Sequence, residues 1–196
     1  MRTLIATALL LIFCSGVLAG EESVADVYQA RMVVTIEDNT SATNLWGKSG
    51  LMRVNMAGGR AFNSAITNYH QKKSWALSSS HMIYQEFPSK SLRSYVPEFF
   101  NPELNLKKEF ITAETINGIE CKKYRAIITQ PDRPRVKGFL WEAISLPGYP
   151  LQWEEPARQV HASWRNAKLV VKPASFFKIP ADYREQKAKP FAAYKR

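Results

Sequence analysis

The sequence predicts a mainly β domain in which one antiparallel sheet curls into a barrel or half-barrel. Three observations predict it. Apolar and polar residues alternate with period two through most of the chain, Asn117-Gly118 sits between two such runs, and segments with helical periodicity are few. A long flat sheet would leave open edges, so strands in this number are expected to curl.

The first run, Val27 to Ile36, puts Tyr28, Ala30, Met32, Val34 and Ile36 on one face. Leu51 to Met56 repeats the pattern with Met52, Val54 and Met56 inward and Arg53 and Asn55 outward, and Gly58-Gly59 closes it. Residues 65–69, 74–77 and 81–87 are further short strands, separated by the polar turns Gln71-Lys72-Lys73 and Ser78-Ser79-Ser80. From Pro88 to Asn105 the prolines at 88, 97 and 102 interrupt the apolar pairs Tyr95-Val96 and Phe99-Phe100. Only short helical turns fit between them, so this stretch is expected to leave the sheet as a lid.

Asn117-Gly118 is the preferred dipeptide for a two-residue hairpin, because both central residues need positive φ. The turn sets a register in which Ile116 faces Ile119, Glu114 faces Cys121, Ala113 faces Lys122 and Ile111 faces Tyr124, over a hairpin from about Phe110 to Ile128. Runs 137–144, 151–154 and 161–171 continue the sheet, and 176–180 ends it.

The chain has 196 residues, 45% of them hydrophobic and 22% charged, a composition that supports a real core and excludes collagen-like, low-complexity and multi-span membrane classes. Residues 1–19 carry Arg2, an apolar stretch from Leu4 to Phe13, and small residues ending at Ala19. That is the layout of a secretory signal peptide, too short to span a bilayer as an anchor, so export is expected. The remainder divides into one domain, 20–183, and a basic tail, 184–196. Cleavage would remove Cys14 and leave Cys121 alone, which excludes an internal disulfide; a buried thiol and a reactive one both remain open.

With 27 Lys and Arg against 17 Asp and Glu the net charge is +10, so partners are expected to be neutral or anionic. Basic residues gather at 122–137 and in the tail, where they suit either a solvated face or peripheral contact with anionic headgroups. Export and the lack of a nucleic-acid-binding motif argue against nucleic acid. No Gly-x-Ser-x-Gly elbow, His-Glu-x-x-His or Cys-x-x-Cys spacing is present, and His70, His81 and His161 are widely separated. The sequence therefore points to no catalytic residue, no metal and no cofactor.

The order of several short motifs resembles the periplasmic LolA/LolB-like outer-membrane lipoprotein-sorting superfamily. These are the opening with Tyr28 and Ala30, the step Gly50-Leu51-Met52-Arg53, Trp75 and Leu77 before Met82-Ile83-Tyr84, the hairpin 117–124, Gly138-Phe139-Leu140-Trp141, Gly148-Tyr149-Pro150-Leu151, and the ending 177–183. The resemblance implies an unclosed half-barrel of nine to eleven strands around an apolar cavity under short covering helices. It also implies a non-catalytic binding protein for a lipid or acylated lipoprotein, and it matches Arg53 to a basic residue that holds the lid. The early region lacks the Arg-Pro pairing of the family's carriers, so a lipid-binding relative fits better than a carrier. A protein-binding, stress-sensing module of the same fold is the alternative.

A half-barrel has more inward apolar face than its own side chains need to fill, which leaves room for a cavity. Its candidate lining is Met32, Val34, Ile36, Val54, Met56, Trp75, Leu77, Met82 and Trp141, with Phe99 and Phe100 on the lid. The same residues would serve equally in an ordinary packed core.

Overall fold

The alternation of the first run becomes β1 (Val24–Ile36), which pairs along most of its length on both sides. The computed structural model describes residues 24–56, 61–88, 96–129 and 134–187, so the expected signal peptide lies outside the described residues. From β1 the chain turns back at Glu37, whose φ is +51°, into β2 (Asn39–Lys48), and then meanders through β3 (Leu51–Met56), β4 (Ser64–Asn68), β5 (Lys73–Ser78) and β6 (Ile83–Pro88). After residues 96–104 a second meander runs through β7 (Asn105–Ile116), β8 (Ile119–Thr129), β9 (Val136–Ala143), β10 (Pro150–Glu155) and β11 (Val160–Pro173). β11 returns to pair with β1 from Val24↔Pro173 to Ile36↔Val160, which joins the two meanders into one sheet.

The sheet has twelve strands in the order β12-β6-β5-β4-β3-β2-β1-β11-β10-β9-β8-β7, where β12 is the dipeptide Arg184–Glu185. Its neighbours are antiparallel except β12, which adds parallel to β6. The strand number exceeds the expected nine to eleven for two reasons. β2 has few apolar residues to signal it, and the sheet runs on into Arg184 and Glu185, where the basic tail was expected to begin. The covering helices are also corrected: among the described residues the helical segments are two 3-10 turns, Pro156–Arg158 and Ala174–Phe177.

The hairpin turn forms as the dipeptide dictates, with Asn117 at φ +50° and Gly118 at φ +81°. Ile116↔Ile119, Glu114↔Cys121 and Ala113↔Lys122 pair in the expected register. Beyond them a β-bulge at Ile111 shifts the ladder by one, so Phe110 and not Ile111 faces Tyr124, with ring centroids 6.1 Å apart at 72°. A bulge inserts one residue in one strand, and no turn-based register can foresee it.

Two apolar clusters form on opposite faces. On the concave face Tyr28, Leu45, Leu140, Trp153, Ala162 and Trp164 pack into one core with Phe100 laid over it. On the convex face Cys121, Trp141, Ala143 and Leu151 form a smaller one. Full burial of each large side chain contributes about 1.5–3 kcal/mol, so the concave cluster dominates the stability of the sheet.

Candidate functional site

The concave face of β1 to β4 carries Met32, Leu45, Met52, Val54 and Thr67, because alternate residues of paired strands share a face. With Tyr69 and Trp164 they form one wall of a cavity, and Val96, Pro97, Glu98, Phe99 and Phe100 form the other. Its free volume is about 70 Å³. Ligand pockets are usually roughly 300–1,000 Å³, so an acyl chain enters only if part of the lid withdraws.

The lid, residues 96–104, is built from turns. Phe99 N–H donates to Pro97 O at 3.0 Å, Asn101 N–H to Glu98 O at 2.8 Å, and Leu104 N–H to Asn101 O at 3.0 Å. Pro97 and Pro102 keep these turns from propagating as a helix. The Asn101 side-chain amide bonds Glu98 Oε2 at 3.1 Å, and its oxygen accepts Glu103 N–H at 3.0 Å.

Three contacts seat the lid. Phe100 lies over Gly47, where an added β-carbon would come within 2.4 Å of the ring. The Gly50 N–H donates to Phe100 O at 2.9 Å, and Gly50 O in turn accepts Tyr69 N–H at 2.9 Å. Lys72 Nζ reaches Glu103 Oε1 at 3.1 Å, an exposed pair that adds little. Phe99 enters deeper, 6.0 Å from Trp153 and 5.6 Å from Trp164, edge-on to both. Tyr28 packs beside Phe100 with ring centroids 5.8 Å apart, stacked on Tyr149 at 4.8 Å and donating to Pro150 O at 2.6 Å. Burial, with Tyr149 beside it, pushes the Tyr28 phenol well above its ordinary pKa, so it stays a neutral donor.

Of the residues expected at the site, the structure brings together Met32, Val54, Phe99 and Phe100. Val34 and Ile36 share the concave face but pack further along β1, in the core. Met56 ends β3, and its side chain lies outside the described residues. Trp75 stands on the convex face, in a row with Arg53 and Ile66, where its indole donates to Glu86 Oε2 at 3.0 Å; Leu77 shares that face. Met82 lies in the turn before β6 with φ +50° and is exposed. Trp141 belongs to the convex cluster beside Cys121, and its indole donates to Glu114.

Arg53 holds a different segment from the one expected. Its neighbours Met52 and Val54 line the cavity, so alternation turns Arg53 to the convex face. There Nη1 donates to Phe176 O at 2.7 Å and the guanidinium lies 4.8 Å from the Phe176 ring. Desolvation lowers its pKa and Tyr183 opposes that shift. Lys172 covers the same ring at 5.1 Å, Lys48 lies over Phe177 at 5.5 Å, and Trp46 meets Phe176 edge-on at 5.6 Å. These contacts fasten a strap, residues 174–183, that carries the chain from β11 to β12.

Leu45, Met52, Thr67, Tyr69, Val96, Pro97, Glu98 and Trp164 also line the cavity and were not expected there, although alternation turned Met52 inward. Trp164 had a signal: it alternates with Ala162 in the run from His161. Among the described residues no group of three His, Cys, Asp or Glu is placed to hold a metal, and no helix is long and apolar enough to cross a membrane.

No protein-family model and no curated protein matches the sequence. Among solved structures, an uncharacterised conserved protein from Thermus thermophilus is 11% identical, with a TM-score of 0.50 over 83% of this chain and 90% of that one. The LolA superfamily protein NE2245 from Nitrosomonas europaea is 12% identical, with a TM-score of 0.40 over 78% of this chain and 89% of that one. MucB in the Pseudomonas aeruginosa MucA/MucB complex is 10% identical, with a TM-score of 0.47 over 81% of this chain; the match spans 57% of the MucB chain. The chain thus shares its fold with the Thermus protein, and the structures it resembles include a LolA superfamily member and MucB.

Proposed function

We propose that the chain is an exported, non-catalytic binding protein that takes an acyl chain of a lipid or lipid-modified ligand into the cavity beneath residues 96–104. The observation that carries this reading is the lid itself, two phenylalanines set over an apolar wall of Met32, Leu45, Met52 and Val54. Methionine fills irregular space and adapts to it, which suits a wall that meets Phe99 in one state and a ligand in another. Transfer of an acyl chain gains about 0.8 kcal/mol per methylene, enough for useful affinity from about ten methylenes after the lid's contacts are lost. Export rests on the pattern of residues 1–19, and the resemblance to the lipoprotein-sorting superfamily rests on the motif order.

Uptake of a fluorescent fatty-acyl probe tests this reading. Val54→Asp should reduce uptake about tenfold or more while the sheet stays folded by circular dichroism, because a carboxylate in the wall must be desolvated against an acyl chain. Unchanged uptake in a folded Val54→Asp variant would overturn it.

A second reading, a protein-binding module, is favoured by one observation. Among the described residues β7 pairs only with β8, and Phe110 and Ile111 on that edge are exposed, as are Ile119 and Ile144 nearby. An unpaired edge with apolar side chains accepts an added strand. Phe110→Lys should abolish capture of an envelope protein partner on this reading and leave acyl uptake intact.

A further inference from the structure

We propose that the convex face of β11, β1, β2 and β3 docks the protein on the surface of an anionic lipid bilayer. The inference stands apart from the acyl-binding reading, because it concerns the face of the sheet opposite the cavity.

Directly paired residues of neighbouring strands share a face, so the ladder fixes two rows across this one. In the first, Arg53 faces Trp46, Trp46 faces Gln29 and Gln29 faces Lys168. In the second, Asn55 faces Asn44, Asn44 faces Arg31 and Arg31 faces Arg165. Lys48 and Lys172 lie on the same face, over the rings of the strap. These rows and the strap thus bring six cations together. Among the described convex positions of the four strands there is neither Asp nor Glu. The strap adds one charge of each sign, Lys178 and Asp182. On the adjoining β10, Glu154 lies two rows further along, bonded by Gln152 and 3.4 Å from His161.

Arg31 and Arg165 are both exposed and stand directly opposite each other, an arrangement that costs stability in a bare sheet. An anion between them relieves the repulsion, and each guanidinium can bind a phosphate through two hydrogen bonds. The basic run 122–137 differs. There Arg125 meets Glu109 at 3.2 Å and Lys123 lies 4.0 Å from Glu114, so part of its charge is cancelled.

Shape selects the partner. Pockets for small ligands are concave, and this face is convex. All four strands are paired on both sides, so no backbone is free for an added peptide strand. The cations spread in two dimensions, about 14 Å across the strands and about 20 Å along them. A planar array of phosphates meets such a face, and each Lys or Arg near it should raise affinity about fivefold.

Cosedimentation of the mature protein with vesicles of equimolar phosphatidylglycerol and phosphatidylcholine, and with vesicles of phosphatidylcholine alone, tests the proposal. Binding should require phosphatidylglycerol and fade as salt rises. Arg31→Gln and Arg165→Gln together should weaken it about 25-fold, and Lys168→Gln about fivefold. Arg165→Gln alone should also raise the urea midpoint, because it removes the opposed like charges. Arg125→Gln removes the same unit of charge on β8, beyond a screening length from this face, and should leave binding within about twofold. If the double variant fails to fold, Lys168→Gln and the salt dependence carry the test. Equal binding to both kinds of vesicle, or an equal loss from Arg125→Gln and Lys168→Gln, would overturn the proposal. Failure to bind either vesicle would overturn it too, and capture of soluble polyglutamate in that case would assign the face to an acidic protein.

Discussion

Phe100 lies on Gly47 so closely that a β-carbon at position 47 would sit 2.4 Å from its ring. Glycine is required there for space, since the ring of the lid occupies what any other side chain would fill. Gly47→Ala is therefore expected to lift Phe100, cost about 1–3 kcal/mol of stability by overpacking, and increase the rate of acyl-probe entry. Phe100→Ala should cost about 3–5 kcal/mol. In the double variant the cost of Gly47→Ala should vanish, which denaturant unfolding of all four proteins checks as a double-mutant cycle.

Arg53 anchors the strap through Phe176 O and the Phe176 ring. Arg53→Met keeps much of the aliphatic packing and removes the hydrogen bond and the cation over the ring, at a cost of about 1–3 kcal/mol. For a chain of this size that is a fall in Tm of about 2–4 °C per kcal/mol. Hydrogen exchange should quicken in residues 174–187 and stay unchanged in 96–104; the reverse pattern would return Arg53 to the lid.

The concave face of the second meander holds an ion pair, Lys108 Nζ bonded to both oxygens of Glu142 at 2.7 Å. Glu142 is buried while Lys108 is partly exposed, so removal of the two partners is not equivalent. Lys108→Met strands a buried carboxylate and should cost about 2–4 kcal/mol, more than Glu142→Gln, which leaves an ammonium that can reach water. Equal costs by urea unfolding would contradict this placement.

Much of the architecture was legible in the sequence because alternation and turn chemistry are local. The faces of β1 and β3 and the hairpin turn at Asn117 follow from residue identity alone. β2 did not, because Asn39 to Asn44 are polar or small, and only Leu45 and Trp46 mark the strand. The bulge at Ile111 and the turn conformation of Met82 depend on tertiary pairing. At the site, strand parity identified Met32 and Val54. It could not tell which aromatic residues share the concave face, since Trp75 and Trp141 fall opposite Trp164 only once the strand pairing is known.

Burial pushes the Cys121 thiol pKa up, and nearby Glu114 acts in the same direction, while a hydrogen bond with the Ile116 backbone partly opposes both. The folded thiol therefore stays protonated at neutral pH and should resist a disulfide exchange reagent until the protein unfolds. The folded pKa is raised, so this group's contribution is fully present below the unfolded thiol value, about 8.5, and is lost as pH rises toward the folded one. Rapid labelling of the native protein would contradict the burial.

On the acyl-binding reading the lid yields to an acyl ligand. Native mass spectrometry with organic extraction, applied to the mature protein purified from its own exported compartment, tests it most directly. A lipid or acylated peptide is expected at one per chain, retained by the wild type and lost from Val54→Asp. A ligand-free wild type that also takes up no fluorescent acyl probe would contradict it.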